Sequence, residues 1–478
     1  MKKIINIISI FLVLILASCN NKEEVNQRWV RKEIHSEAAK KDVLALERAL
    51  RIMRQKDCSE PTSWYYQGAM HWIPDTVQNN QHCQFYHTYL DKKEGWDNCT
   101  HTPSGQEEIH FLVWHRLYIY HFEKIVRKVS GYKDFALPYW GYTNSDPSLK
   151  VLQNSFRDKK SALYEPCRFD SLNSGQPIWG EIERSLDLTQ LMSYDNYALF
   201  CHNIDKAPHG AMHDYIGGGN SWNEGKLKFN NHITGTITET GLMGWVPTAA
   251  FDPVFWTHHS NIDRIWQQWT NSQNGKMITL EELKSVPWDY VFFDENGKKV
   301  VYTPEEIMEI IYTMDYDYDD CKVKPKKQNL VVKSTKKEVI GKIEPSVFAK
   351  SRVTDLGTIV NKVESSAIME IDVTFTEVPD GVYEVYCNNG LNDRHPSSNN
   401  FVGFMTFFGQ DHKMQGEGCK AGCCRKLKSG RPVLTFKFDC DGKWNLAKTS
   451  FEYNIELYKF NGHHSGDLRI EEIRLIKK

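Results

Sequence analysis

The stretch "FDPVFWTHHSNIDRIWQQW", Phe251–Trp269, sets two adjacent histidines, an acid and an arginine in an apolar, aromatic run. On a helix, residues four apart lie on one face. His259 and Asp263 have that spacing, and the pattern predicts that Asp263 orients the imidazole by accepting its second N–H. The same spacing recurs in "PHGAMHDYIGG", Pro208–Gly218, where His209 and His213 can share one metal. His258 is expected beside the site. Three histidines with an open position suit copper, zinc or iron.

A second group lies earlier in the chain. "GAMHWIP" holds His71, "NCTHTPSG" holds His101, and "HFLVWHRLYIYHFE" holds His110, His115 and His121. Two sets of three in one aromatic-rich region predict two metals. His35, His82, His121, His202 and His232 are read as ordinary hydrogen-bonded residues.

The chain has 478 residues, enough for two or three domains, and a net charge of −2. That balance excludes the electrostatic footprint of nucleic-acid binding. Lys2 and Lys3 precede the apolar run "IINIISIFLVLILA", which is short for a membrane span and fits a cleaved export signal over 1–19. Leu16-Ala17-Ser18-Cys19 resembles a bacterial lipobox, which implies lipidation of Cys19 and anchoring at the periplasmic face or the cell surface. Export implies an oxidising compartment, so disulfides are expected among the 12 cysteines, with connectivity that sequence alone does not reveal. "CKAGCC" at 419–424 is expected to form a disulfide cluster with Cys387 and Cys440.

The organisation follows from composition shifts. Residues 20–57 are polar, with a helical pattern from Ile34 to Met53. Residues 58–277 form the histidine-rich domain. In 278–320, "VPWDYVFFDENGKKVVY" reads as a hairpin about Asp294–Gly297. A basic linker is expected over 321–340. Residues 341–478 alternate with period two and predict a β-rich domain, a sandwich or a barrel.

Taken together, "FLVWHRLYIYHFE", "PHGAMHDYIGG" and "FDPVFWTHHSNIDRIW" resemble the tyrosinase, catechol oxidase and haemocyanin family of type 3 copper proteins. The resemblance spans 71–269, and "LPYWGYTN" at 137–144 fits it. It implies a multidomain α+β protein, with a mainly helical copper domain built on a four-helix bundle and two copper ions. The first copper would take His71, His101 and His115, and the second His209, His213 and His259. Position 106, where the family usually has the second ligand, is Gln106 here. Cys99-Thr100-His101 matches the family's Cys-X-His thioether motif, so His101 is chosen, with a loop extension after it and His110 as runner-up. Arg116 and Arg264 would be structural ion-pair partners.

"MGWVPTAAFDP" puts Val246 where plant polyphenol oxidases carry a bulky gate residue. Gly210 replaces an Asn that is frequent in monophenol-active members, and Asp205 stands where a Glu is usual. The activity implied is oxidation of o-diphenols to o-quinones by O2, with tyrosinase-type monophenol hydroxylation and haemocyanin-like oxygen binding as alternatives. The region after 277 resembles the later parts of plant polyphenol oxidases, whose C-terminal domain can cover the active-site entrance. The lipobox predicts that Cys19→Ser moves the chain from the detergent-extracted membrane fraction to the soluble fraction; an unchanged distribution would refute the anchor.

Overall fold

A computed structural model describes residues 28–478 except 79, 101–108, 220–221, 223–226, 324–337, 346, 350–352, 362–366, 380, 388–394, 397, 411–424, 427–431, 441–450 and 460–466. The signal and lipobox, His101, most of the linker and "CKAGCC" therefore lie outside the described residues. The chain is a mixture of helix and sheet. Its first strand, β1 (Trp29–Arg31), is followed by α1 (Lys40–Met53), which buries Val43, Leu46, Leu50 and Met53. The expected helix starts later than Ile34, because Ser36 first caps a 3-10 turn over Glu37–Ala39.

Five further helices bring the histidines together. Helix α2 (Trp64–His71) is capped by the Ser63 hydroxyl, which accepts from Tyr66 N–H. A Cβ on Gly68 of this helix would lie 2.6 Å from the Phe251 ring, so only glycine lets Phe251 pack there. Helix α3 (Phe111–Ser130) ends at Gly131, whose φ of 72° is left-handed. Helix α4 (Tyr197–Ile204) leads through a kinked π-turn to α5 (Ala211–Gly217). Helix α6 (Val254–Asn271) carries the opening stretch, and its tryptophans Trp256, Trp266 and Trp269 are buried in the main hydrophobic core.

The predicted hairpin is present as β2 (Tyr290–Phe293) and β3 (Lys299–Tyr302), turning at Gly297 with φ 77°. Beyond it, β4 (Tyr316–Tyr318) pairs in parallel with β1. The polar N-terminal segment is thus not peripheral, contrary to its composition. It delivers Arg31 into the core.

Arg31 joins a network centred on Asp263. Arg31 Nη1 donates to Asp263 Oδ2 at 3.2 Å, and Arg31 Nε donates to Glu123 at 2.8 Å. Arg116 Nε donates to Asp263 Oδ1, and the Tyr316 and Tyr318 hydroxyls donate to Oδ2. All these side chains are buried. Arg116 lies 3.7 Å from the Trp266 ring centre and Arg31 3.6 Å from that of Tyr316, so both cations also rest on aromatic faces. Asp263 therefore does not orient His259, as the spacing predicted. Its two oxygens are taken by α3, β1 and β4, and it fastens helix to helix.

The expected C-terminal strands form two sheets. One has six strands: β5 (Val339–Ile343), β6 (Val347–Phe348), β8 (Ala367–Thr374), β11 (Arg425–Lys426), β12 (Pro432–Asp439) and β14 (Arg469–Lys477). Its order is β11-β12-β8-β14-β5, with β6 beside β14. The other has the order β10-β9-β13-β7, from β7 (Val353–Asn361), β9 (Val382–Cys387), β10 (Phe401–Thr406) and β13 (Phe451–Lys459). Among the described residues neither sheet closes, so the barrel alternative does not hold. Buried residues of both sheets share a second core.

The opposite face of β9 meets the helical part. Val382 and Tyr386 join the first core, and Glu384 takes a bidentate ion pair from Arg184, both N–O distances being 2.7 Å. The Cys58–Cys83 disulfide brackets α2 in sequence.

Burial pushes the Asp263 carboxyl up, but Arg116 and Arg31 outweigh it and hold the group below its ordinary value. A depressed acid contributes stability above its unfolded pKa of about 4, and that contribution disappears as pH falls through the lower folded value. Asp263→Asn leaves two buried cations short of their counter-charge and is expected to cost ~3–5 kcal/mol at pH 7 in denaturant unfolding. The loss of wild-type stability below about pH 4 should be shallower in that variant.

Candidate metal centre

Helices α2, α3, α5 and α6, with the turn before α5, converge on one buried point. His209, His213, His258 and His259 form one group and His71, His115 and His259 another, each with its nearest ligand atoms within 4.8 Å of one another. The His115 and His259 rings are stacked, 4.2 Å between centres and 4° between planes. His209 and His213 lie 4.5 Å apart, and His213 Nε2 is 3.5 Å from His259 Nε2. His259, assigned by sequence to the second set, therefore stands where the two sets meet.

The backbone fixes which nitrogen faces inward. His71 Nδ1 lies 3.3 Å from the Val246 carbonyl oxygen, and His115 Nδ1 2.8 Å from that of Phe111. His209 Nδ1 is 3.1 Å from Asp205 O, and His213 Nδ1 2.9 Å from Met243 O. A carbonyl can only accept, so each Nδ1 carries the proton and each Nε2 keeps its lone pair. Burial, then the neighbouring imidazoles led by His115 and His209, holds His259 well below the ordinary histidine range. Neutral imidazoles with a common inward Nε2 fit a pair of copper ions.

The remaining sequence expectations divide. His258 stands beside the site, its Nδ1 2.8 Å from the Tyr142 hydroxyl oxygen and its ring centre 4.7 Å from that of His213. His110 does not join: its Nδ1 meets Tyr290 Oη at 2.6 Å and its Nε2 the Val286 carbonyl at 2.8 Å. With His121, whose Nε2 is 2.9 Å from Tyr302 Oη, it fastens the β2–β3 hairpin onto α3. Cys99 is buried with its Sγ 3.4 Å from His115 Nε2, at the edge of the first set. Its proposed partner His101 lies outside the described residues. Arg264 pairs with Asp320, in keeping with a structural role.

Asp205 is close to the site and already engaged. Its Oδ1 lies 3.1 Å from His209 Nδ1, and its Oδ2 accepts from Lys206 at 2.6 Å. Val246 is buried and meets the first set through its carbonyl.

Sequence reasoning missed Phe408. This residue, two past the end of β10, stacks on His213 with ring centres 4.3 Å apart and planes at 22°. Its loop also lines a 210 Å³ cavity bounded by Gly210, Asp214 and Thr240. Gly210 permits this approach: a Cβ there would lie 2.9 Å from Thr406 Oγ1 and 3.3 Å from Phe408 Cβ. The two aromatic residues "FF" at 407–408 end a strand pattern and carry no signal of their own.

Comparison with known proteins agrees with this geometry. Residues 61–185 and 169–272 match the common central domain of tyrosinase. The chain is 27% identical over 301 residues to tyrosinase HcTyr1 of Hahella sp., covering 54% of this chain and 57% of that protein. It is 27% identical over 308 residues to the chloroplastic polyphenol oxidase A1 of Vicia faba, covering 56% and 46%. It thus spans about half the length of the curated relatives it matches. Among solved structures, latent apple tyrosinase superposes with a TM-score of 0.61 at 18% identity over 95% of this chain and 98% of that one. A latent aurone synthase gives 0.60 at 17% identity over 96% and 90%. At these identities the likeness is one of fold.

Metal analysis after copper loading checks the ligand set. His71→Ala and His115→Ala should each lose one copper per chain, whereas His110→Ala should keep both. Loss of one copper on changing His110 would contradict the structure.

Proposed function

We propose that this chain, whose residues 61–185 and 169–272 match the common central domain of tyrosinase, is a type 3 dicopper oxidase of the tyrosinase and polyphenol oxidase kind, converting o-diphenols to o-quinones with O2. The observation that carries the proposal is the group of four buried imidazoles, His71, His115, His209 and His213, whose Nδ1 atoms are held by backbone carbonyls. His71, His101 and His115 would hold one copper and His209, His213 and His259 the other. Copper ions held there would supply two-electron redox chemistry, by which two diphenols could become two quinones as one O2 becomes two waters.

The protein's part is positioning and exclusion of water. Phe255 packs 4.2 Å from His259 and 4.8 Å from His71, and Phe111 4.7 Å from both His115 and His209. These rings give the site dry walls that keep the imidazoles in place. Val246, small at the gate position, leaves room for the substrate ring. Proton acceptance from a monophenol would need a base near the second set. Asp205 stands where the resemblance puts the family's usual Glu, and both its oxygens are already occupied by His209 and Lys206. Gly210 offers no side chain to hold a water. We therefore assign diphenol oxidation as the main activity.

Phe408 supports a further element of the proposal: the chain is latent, with the C-terminal part holding the site closed. The organisation proposed is the one read from sequence. The helices over 58–277 act as a four-helix bundle, followed by the 278–320 segment, the linker and a two-sheet sandwich over 341–478. Cys19 would anchor the exported chain to lipid.

Copper-loaded full-length protein should oxidise 4-methylcatechol far better than 4-methylphenol, and Phe408→Ala should raise kcat/KM for the catechol. Equal turnover of both compounds without a lag would refute the diphenolase assignment. Unchanged kinetics in the variant would refute latency through Phe408.

A further inference from the structure

Two cysteines that the copper chemistry does not use face each other across the C-terminal domain. Strand β9 alternates: Tyr383, Val385 and Cys387 belong to the core between the sheets, while Val382 and Tyr386 belong to the core of the helical part. Strand β12 alternates in the same way, with Phe436 and Phe438 in the inter-sheet core and Cys440 following on the same face. β9 is in the four-stranded sheet and β12 in the six-stranded sheet. Period-two geometry therefore aims both thiols into one dry space from opposite layers. Both residues are 0% exposed. Their backbones are pinned, with Cys387 N–H donating to Asn400 O and Cys440 N–H to Ala367 O.

We infer that Cys387 and Cys440 are the two halves of a sheet-to-sheet disulfide. The neighbouring Cys387 thiol, with burial, lifts Cys440 well above the ordinary thiol range. A pair so buried exchanges slowly once folded, so the bond forms while the sheets are still closing. Thiolate attack on an exogenous disulfide gives a mixed disulfide, and the second thiol displaces the carrier. One S–S bond forms, and two electrons and two protons go to the carrier, which leaves as two thiols. The closed loop includes β10 and Phe408. The bond would hold the layer whose outer face carries Glu384 and whose next strand leads to the ring on His213.

The test is a peptide map of the full chain refolded in an oxidised/reduced glutathione buffer and quenched with N-ethylmaleimide in denaturant without reductant. The expected result is a peptide pair joining Cys387 to Cys440, two hydrogen atoms lighter than the separate peptides and split by reduction. Alkylation of both cysteines, or a link from either one to Cys419, Cys423 or Cys424, overturns the assignment. The Cys387→Ser/Cys440→Ser double variant adds a readout of the bond's effect. Its C-terminal domain should be cut faster by protease than that of oxidised wild type, and reduction of the wild type in mild denaturant should remove the difference. Equal cleavage of both proteins under oxidising conditions also overturns it.

Discussion

The fold turns on one buried carboxylate. Asp263 accepts from two arginines and two tyrosines that belong to β1, α3 and β4. Arg116 follows His115 directly on α3, and Asp263 lies one helical turn beyond His259 on α6. The ion pair therefore ties together the two helices whose imidazoles stack at 4.2 Å. Burying such charges is costly, and the arrangement is favourable only because each oxygen is saturated and each guanidinium rests on an aromatic ring. Its value is positional: it sets the register of one helix against the other, and with it the separation of the two histidine sets.

Around that staple the backbone sets the chemistry of the imidazoles. Carbonyls of Val246, Phe111, Asp205 and Met243 take the Nδ1 protons, leaving every inward Nε2 as a donor to metal. Aromatic walls exclude water, and burial with the neighbouring imidazoles disfavours the protonated form of His259. The C-terminal domain reaches the same point from outside. Its docking depends on the missing side chain of Gly210, the Arg184–Glu384 pair and the stacking of Phe408. One glycine thus bears on two properties of the proposed enzyme, closure by the C-terminal domain and the lack of a side chain to hold a water.

Much of this was legible in the residues. The i, i+4 pair His209/His213, the neighbours His258/His259 and the "WHR" histidine all reach the centre, and the period-two region after 341 is built of strands. Local periodicity carries that information. The misreadings concern long-range partners. His259 and Asp263 do share a helical spacing, but Asp263 is claimed by Arg31, 232 residues away. His110, only the runner-up in the sequence reading, sits in the same motif as His115, and partners 176 and 180 residues later keep it from the centre. Phe408 belongs to a strand end like many others, and only the docking of two cores puts it on His213.

The central claim is that the two histidine sets form a single site for two coppers. Anomalous diffraction at the copper edge from copper-loaded crystals tests it most directly. The account predicts two peaks in each chain, one among His71, His101 and His115 and one among His209, His213 and His259. A single peak, or a peak that follows the zinc edge instead, would contradict it.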